Sequence, residues 1–353
     1  MKKRATTIFS ITYGVLLAGL AVYVLLDSFV IPHRYASAKE AYTEGDAGIE
    51  QAERDGSGEK ASGQSSGSDA DASERDAESG QKGWKKKRSL RGNKGENSEE
   101  TLQEQDTGSV EYDTVNEYHE NGIDITLKQY RVNDTNVYVA DVKLDSADRL
   151  KTALAEDTYG RNIKEETSVT AANNNAVLAV NGDFYGSRET GYVIREGVLY
   201  RDKSGKGNED LVVLKNGEFL IINEDDISAQ ELLDMGAWQV FSFGPALVTD
   251  GELAVEEEEE VGRAMQSNPR TAIGLIDDLH YVFVVADGRT TDNAGLTLRE
   301  LAGFMKDLGA ETAYNLDGGG SSTMIFRGEL INNPTTGGRR TEERSVSDIV
   351  YIR

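Results

Sequence analysis

The decamer NLDGGGSSTM, residues 315–324, puts a carboxylate, three glycines and three hydroxyls within nine positions of one another. That set can do three different things. Successive glycines can turn their amides inward as an anion nest, with Ser321, Ser322 and Thr323 adding donors. Asp317 can serve as a reactive carboxylate. Or the glycines can make a sharp turn and nothing more. The stretch is not a P-loop, because no Gly-Lys-Ser/Thr ending follows, and it is not a GxGxxG fingerprint. Two more Asp–Gly turns occur, Asp183 in VNGDFYG and Asp287 in ADGR. Two arginines lie near such turns: Arg270 in NPRTAIGLID, just after a proline, and Arg289, two residues past Asp287. A guanidinium fork opposite backbone amides is a phosphate clamp; the competing use of any one arginine is a surface ion pair.

Other acid–base chemistry is narrowed by what the chain lacks. It has no cysteine, which removes thiolate nucleophiles and cysteine metal sites. Its three histidines, His33, His119 and His280, have no second histidine nearby. A histidine zinc centre is therefore disfavoured, and so is a Ser-His-Asp triad, although the fold could still position His280. Proton handling falls to carboxylates. A formal net charge of −24 argues against nucleic acid as a partner.

The elements that must carry these turns read as an α+β domain. IDITLKQYRV and NVYVADVKL alternate apolar and polar residues as strands do. YVIREGVLY and LVVLKNGEFLII read as hairpins turning at Glu-Gly and Asn-Gly. SVTAANNNA is a short helix before the buried strand AVLAV, and SAQELLDMG is a helix from Ser228 to Gly236. HYVFVVA at 280–286 is a buried strand. Thr297 and Glu300 then form a capping box, and Leu298, Leu301, Ala302, Met305 and Leu308 follow at helical spacing until Gly309. TAYNL at 312–316 is the next strand. If this strand–helix–strand unit lies in one sheet, its strands are parallel, and Asp287 and Asp317 leave at the same edge. Asp183 also follows a strand that a helix precedes. With a shared sheet, all three aspartates converge on a carboxyl edge, where open α/β sheets bind ligands. The expected fold is a mixed β-sheet core with flanking helices. EEEEE at 256–260 is a charged loop, and no internal repeats are present.

Ahead of this domain, MKKR precedes an uncharged run from Ala5 to Leu26. As a helix it is about 33 Å long at ~1.5 Å per residue, enough to span the hydrocarbon core. Basic residues before it and acidic ones after it keep the N-terminus cytoplasmic. A cleaved signal peptide is the competing reading, but its apolar region is about 7–15 residues. Residues 1–35 are thus expected to be a cytoplasmic stub and membrane anchor. Residues 36–108, rich in Gly, Ser and acids, cannot offset chain entropy by burial and are expected to be a flexible tether. The globular domain takes 109–353, outside the cell.

The ordered series AVNGDFYG, YVIREGVLY, FSFGPALVTDGEL, NPRTAIGLID, YVFVVADGR, LTLRELAGFMKDLGAETAYNLDGGGSSTM and RSVSDIVYI resembles the phosphodiester glycosidase family over about 110–353. The resemblance implies hydrolysis of the bond between a sugar's anomeric carbon and a phosphodiester oxygen. It implies site carboxylates at Asp183 and Asp317, the two favoured for the reactive roles, with Asp287, from its own Asp–Gly turn, third. It also implies phosphate or substrate binding by Asn181, Arg270, Gly318, Gly319, Gly320, Ser321 and Ser322. A phosphate is already a fair leaving group, so stabilising its charge matters more than protonating it, and a carboxylate must stabilise, attack or hydrate an oxocarbenium-like carbon. No cofactor is required; calcium or magnesium held by the aspartates is compatible with the set. A polymer at the cell surface is the expected substrate. The alternatives are a non-catalytic phosphoglycan receptor and a metal-dependent phosphoesterase that cuts P–O.

Overall fold

The computed structural model describes residues 16–27, 30–37, 110–255 and 266–353. Expectations for the first four residues, most of the tether and the EEEEE run fall outside them. Within them, every neighbouring pair of strands is antiparallel. The strand-rich reading holds, but the mixture of directions is confined to strands that are not neighbours. His280–Ala286 and Thr312–Asn315 both pair antiparallel with Arg270–Asp277, which lies between them. They therefore run parallel to each other, one strand apart, joined by the Leu298–Asp307 helix.

These three strands belong to an eight-stranded sheet that also holds Ile123–Val132 and Thr135–Leu144. The helix covers one face of it. Leu298, Leu301, Ala302, Phe304 and Met305 are buried against Val137, Val139, Ala272, Val282 and Ala286. The expected capping box is present: the Thr297 hydroxyl accepts from Glu300 N–H at 3.2 Å, and the Glu300 carboxylate accepts from Thr297 N–H at 2.8 Å.

The opposite face packs on two five-stranded sheets. One contains Leu178–Asn181 between Met324–Phe326 and Asp348–Ile352. Period-two alternation decides its packing. Leu178 and Val180 face the shared core, while Ala179 faces a separate cluster with Ala171 of the Thr167–Asn173 helix. The other sheet contains the hairpins predicted at Glu196–Gly197 and Asn216–Gly217.

One premise of the convergence argument is corrected. The strand before Asp183 lies in a different sheet from those before Asp287 and Asp317. The turns still meet, because the two sheets stack with these ends together: Asp317 N–H donates to the Gly182 carbonyl at 3.3 Å.

At the N-terminus, residues 16–27 are helical, and Leu16, Leu20, Tyr23 and Leu25 are exposed. Twelve residues at ~1.5 Å each give about 18 Å, short of a hydrocarbon core of about 30 Å. Among the described residues no helix is long and apolar enough to cross a membrane; the rest of the run falls outside them. His33–Ser37 forms a strand antiparallel to Thr158–Arg161, so the domain has a strand from a segment that the sequence assigned to anchor and tether.

Candidate active site

Asp317 stands two residues beyond Asn315, the last residue of its strand, where the chain turns back into the glycines. Its Oδ2 accepts the Ser321 hydroxyl at 2.6 Å and the Arg344 Nη2 at 3.2 Å. Arg344 Nε also donates to the Ser321 Oγ at 2.9 Å, and Nη2 donates to the Gly318 carbonyl at 3.2 Å. Burial raises the Asp317 carboxyl above its ordinary pKa, opposed by Arg344 and Ser321. The Arg344 side chain keeps 40% of its surface exposed, against 12% for Asp317. The cation thus stands between the carboxyl and solvent. Lys164 lies nearby: it precedes Glu165, whose backbone pairs with Val346, two residues past Arg344. Burial lowers its ammonium, Arg344 lowers it further, and Asp317 works the other way.

Of the glycine amides expected to form a nest, that of Gly319 is used inside the fold. The Gly319 amide donates to the Pro269 carbonyl at 2.8 Å, and Ser321 and Ser322 amides donate to Gly318 and Gly319, each at 3.3 Å. The Thr323 amide donates to Asn181 Oδ1 at 3.3 Å. These four donors are spent inside the fold. Side-chain-free positions are required by close approach instead. Gly319 has φ +63°, and a Cβ there would lie 2.8 Å from Arg289 Nη2; at Gly320 a Cβ would collide with the Thr336 hydroxyl. Ser322 is wholly buried, and its hydroxyl has no partner among the described residues. Only Ser321 of the three hydroxyls reaches the Asp317–Arg344 group.

Asp183 is 1% exposed with both oxygens occupied. Oδ1 accepts from the Tyr185 amide at 2.9 Å; Oδ2 accepts from Arg195 Nη2 at 2.9 Å and the Ser242 amide at 3.2 Å. Arg195 also reaches Asp348, with Nη2 2.7 Å from Oδ2, and donates to the Val240 carbonyl. Burial works against the Arg195 charge, but Asp183 and Asp348 outweigh it and raise its pKa. Burial raises Asp348. Asn181, fully buried, ties the two turns: Nδ2 donates to the Asp317 carbonyl at 2.6 Å, and Oδ1 accepts the Thr271 hydroxyl at 2.8 Å.

Asp287 and Arg270 also hold backbone. Asp287 Oδ1 accepts from the Asn333 amide at 2.8 Å, and its burial raises its pKa. Arg270 donates to the carbonyls of Leu296 and Gln266 at 2.9 and 3.0 Å; burial, then Arg289, lowers it to about 10. Of the residues expected at the site, Asp317 and Ser321 are buried against the half-exposed Arg344, while Asn181, Asp183, Arg270 and Asp287 form the buried frame. Arg344 and Lys164 are the additions. Arg344 was within view, as the first residue of RSVSDIVYI. Lys164, in a loop without a motif, had no signal.

No group of three or more His, Cys, Asp or Glu side chains among the described residues is arranged to hold a metal ion. The aspartates expected to bind calcium or magnesium instead face guanidinium, amide and hydroxyl donors, so this donor set does not fit a divalent cation. A hollow of 590 Å³ lies elsewhere, beside Arg149 and Glu196, and is lined by none of these residues.

The family model for phosphodiester glycosidases matches residues 174–353, a span that holds Asp317, Ser321 and Arg344. A Bacillus subtilis protein, the SPbeta prophage-derived uncharacterized protein YomE, is 30% identical over 201 residues, covering 55% of this chain and 30% of that protein. The mouse N-acetylglucosamine-1-phosphodiester alpha-N-acetylglucosaminidase is 26% identical over 185 residues, covering 48% and 35%. The chain spans about a third of the length of these curated relatives. The catalytic domain of the zebrafish enzyme of that name has the same fold, with a TM-score of 0.54 at 23% identity over 69% of this chain and 88% of that one. With the family's pattern extending over half of the sequence and its fold reproduced, this chain belongs to the phosphodiester glycosidase family.

Proposed function

We propose that the domain hydrolyses the C1–O–P linkage of a sugar-1-phosphodiester, with Asp317 as the proton-handling carboxyl. The observation that carries this reading is the Asp317–Ser321–Arg344 group: a carboxyl of raised pKa beside a half-exposed guanidinium and a hydroxyl. A phosphodiester anion arriving there pairs with Arg344, and Lys164 adds a second cation. Both charges stabilise the departing phosphate more than the bound diester, which is the differential binding that accelerates a reaction. The incoming anion also takes Arg344 away from Asp317, so the carboxyl's affinity for its proton rises further. In the bond-breaking step the C1–O electrons pass to the phosphate oxygen, which takes the Asp317 proton. Water adds to C1 and gives up a proton to solvent, from which the Asp317 carboxylate regains the one it lost.

The substrate consistent with the sequence is a phosphate-containing glycan at the cell surface, with the apolar run at 5–26 as a membrane anchor. Similarity to the named mammalian enzymes supports the bond class, and the sugar is a separate matter. Hydrolysis in oxygen-18 water tests the chemistry. Label in the released sugar agrees with C1–O cleavage; label in the phosphate overturns it. A wild-type domain that binds sugar-1-phosphodiesters without turning any over would identify a receptor instead.

A further inference from the structure

The Phe184 ring has a cation near it on each of two segments. Lys164 Nζ lies 6.0 Å from its centroid, and so does the Arg188 guanidinium. Lys164 adjoins Glu165, whose amide and carbonyl pair with Val346, two residues from Arg344, and Phe184 lies two residues past Gly182, whose carbonyl accepts the Asp317 amide. Arg188 is fixed by donation to the Ser242 carbonyl at 3.0 Å and by the Phe243 ring 5.2 Å away. Arg188 also lines a groove of 200 Å³, together with Tyr35, Tyr159, Arg161, Arg201 and Lys203. Tyr159 is the centre of a tyrosine stack, with ring centroids 4.9 Å from Tyr200, 5.4 Å from Tyr185 and 5.8 Å from Tyr35. Tyr35 arrives on the His33–Ser37 strand, which Arg34 ties down further through an ion pair with Glu156.

We propose that this groove is a second subsite for the neighbouring unit of an anionic glycan chain, so that the substrate is a polymer of negatively charged repeats. The inference rests on the glycosidase reading and deepens it. Four cations line the groove against one carboxylate, Glu189, which is itself bridged to Arg161 at 2.9 Å. In a chain of net charge −24 such a concentration of positive charge is a local exception, and low-dielectric walls focus its field. Arg201 is held rigid by the carbonyls of Gly191, Tyr185 and Arg188. Lys203 is exposed and free to follow a ligand. Tyr35, 60% exposed, offers a flat face to a sugar ring. A cavity of about 150 Å³ accepts a benzene-sized ring, so the groove has room for one six-membered sugar. The row Asp317–Arg344–Lys164–Phe184–Arg188–groove then places one repeat's phosphate at the carboxyl and the next repeat's charge among the tyrosines.

The experiment compares kcat/KM of the full chain on synthetic oligomers of one, two and four hexose-1-phosphate repeats. The expected result is a several-fold rise with length, carried by KM. Lys203→Glu and, separately, Tyr35→Ala should flatten that rise. A rise that both variants keep, or no rise in the wild type, overturns the subsite. If no oligomer is turned over, the glycosidase reading fails by itself, and calorimetric binding of the four-repeat oligomer then decides the groove. Weaker binding by Lys203→Glu than by wild type supports it; equal binding, or none by either, overturns it.

Discussion

Two aspartate–arginine groups sit within a few residues of each other in this domain and differ in almost every physical respect. Asp183, Arg195 and Asp348 are sealed: their side chains are at most 3% exposed, and every Asp183 oxygen has a partner. Asp317 and Arg344 form one ion pair at 3.2 Å, and the arginine is 40% exposed. The sealed group has exchanged its hydration for buried partners, and although Asp348 Oδ1 accepts no hydrogen bond among the described residues, it is closed off from a ligand. The half-open group has a cation that an incoming anion can claim. Acid and base identity alone does not distinguish the two groups; solvent access to the cation does.

The comparison is most severely broken by Arg195→Ala. It leaves Asp183 and Asp348 facing each other without a cation, and removing one partner of a buried pair costs about 3–5 kcal/mol. The expected outcome is a large loss of stability in a urea melt, with activity lost because the fold is lost. Asp317→Asn is the opposite case. Turnover of a sugar-1-phosphodiester should fall about 10²–10⁴-fold, the range for a lost acid–base group, while the melt stays close to wild type. If the melt collapses too, Asp317 belongs with the frame.

The pH profile sharpens this second case. A carboxyl whose pKa is raised keeps its proton at low pH and loses it as pH rises through that pKa. As a proton donor, Asp317 therefore makes kcat/KM fall on the alkaline side, and Asp317→Asn should abolish that limb. Next in size is Arg344→Lys. It keeps the charge but removes the fork that reaches Asp317, Ser321 and Gly318 together, so KM should rise roughly tenfold, as loss of a charge-assisted contact predicts. The smallest effect is expected from Thr297→Ala. It removes a helix cap worth about 1 kcal/mol, lowering stability without changing kcat.

Local patterns carried most of the fold reading. The 298–307 helix, its capping box and the strands on either side were legible because each depends on residues a few positions apart. The role of Asp183 was not. Its partners are Arg195, twelve positions on, and Ser242, fifty-nine positions on, and nothing local shows that a strand will turn Arg195 inward. The glycines can be read in two ways for a related reason. A glycine that exposes an amide and one that admits a neighbour's side chain look identical in sequence. The distant Arg289 and Thr336 show that Gly319 and Gly320 do the second. Asp317 was identifiable from the strand–helix–strand unit ahead of it, but its cation, Arg344, comes from another part of the chain.

Arg344 and Asp348 lie four positions apart, and Asp348–Ile352 is inserted between two strands, Leu178–Asn181 and Leu150–Leu154, made much earlier in synthesis. Neither aspartate–arginine group can assemble until that late segment has been translated and has found its slot. A nascent chain carrying every other element still lacks the cation for Asp317, and Arg195 has only half of its counter-charge. Completion of the sheet and completion of the candidate site are therefore the same event.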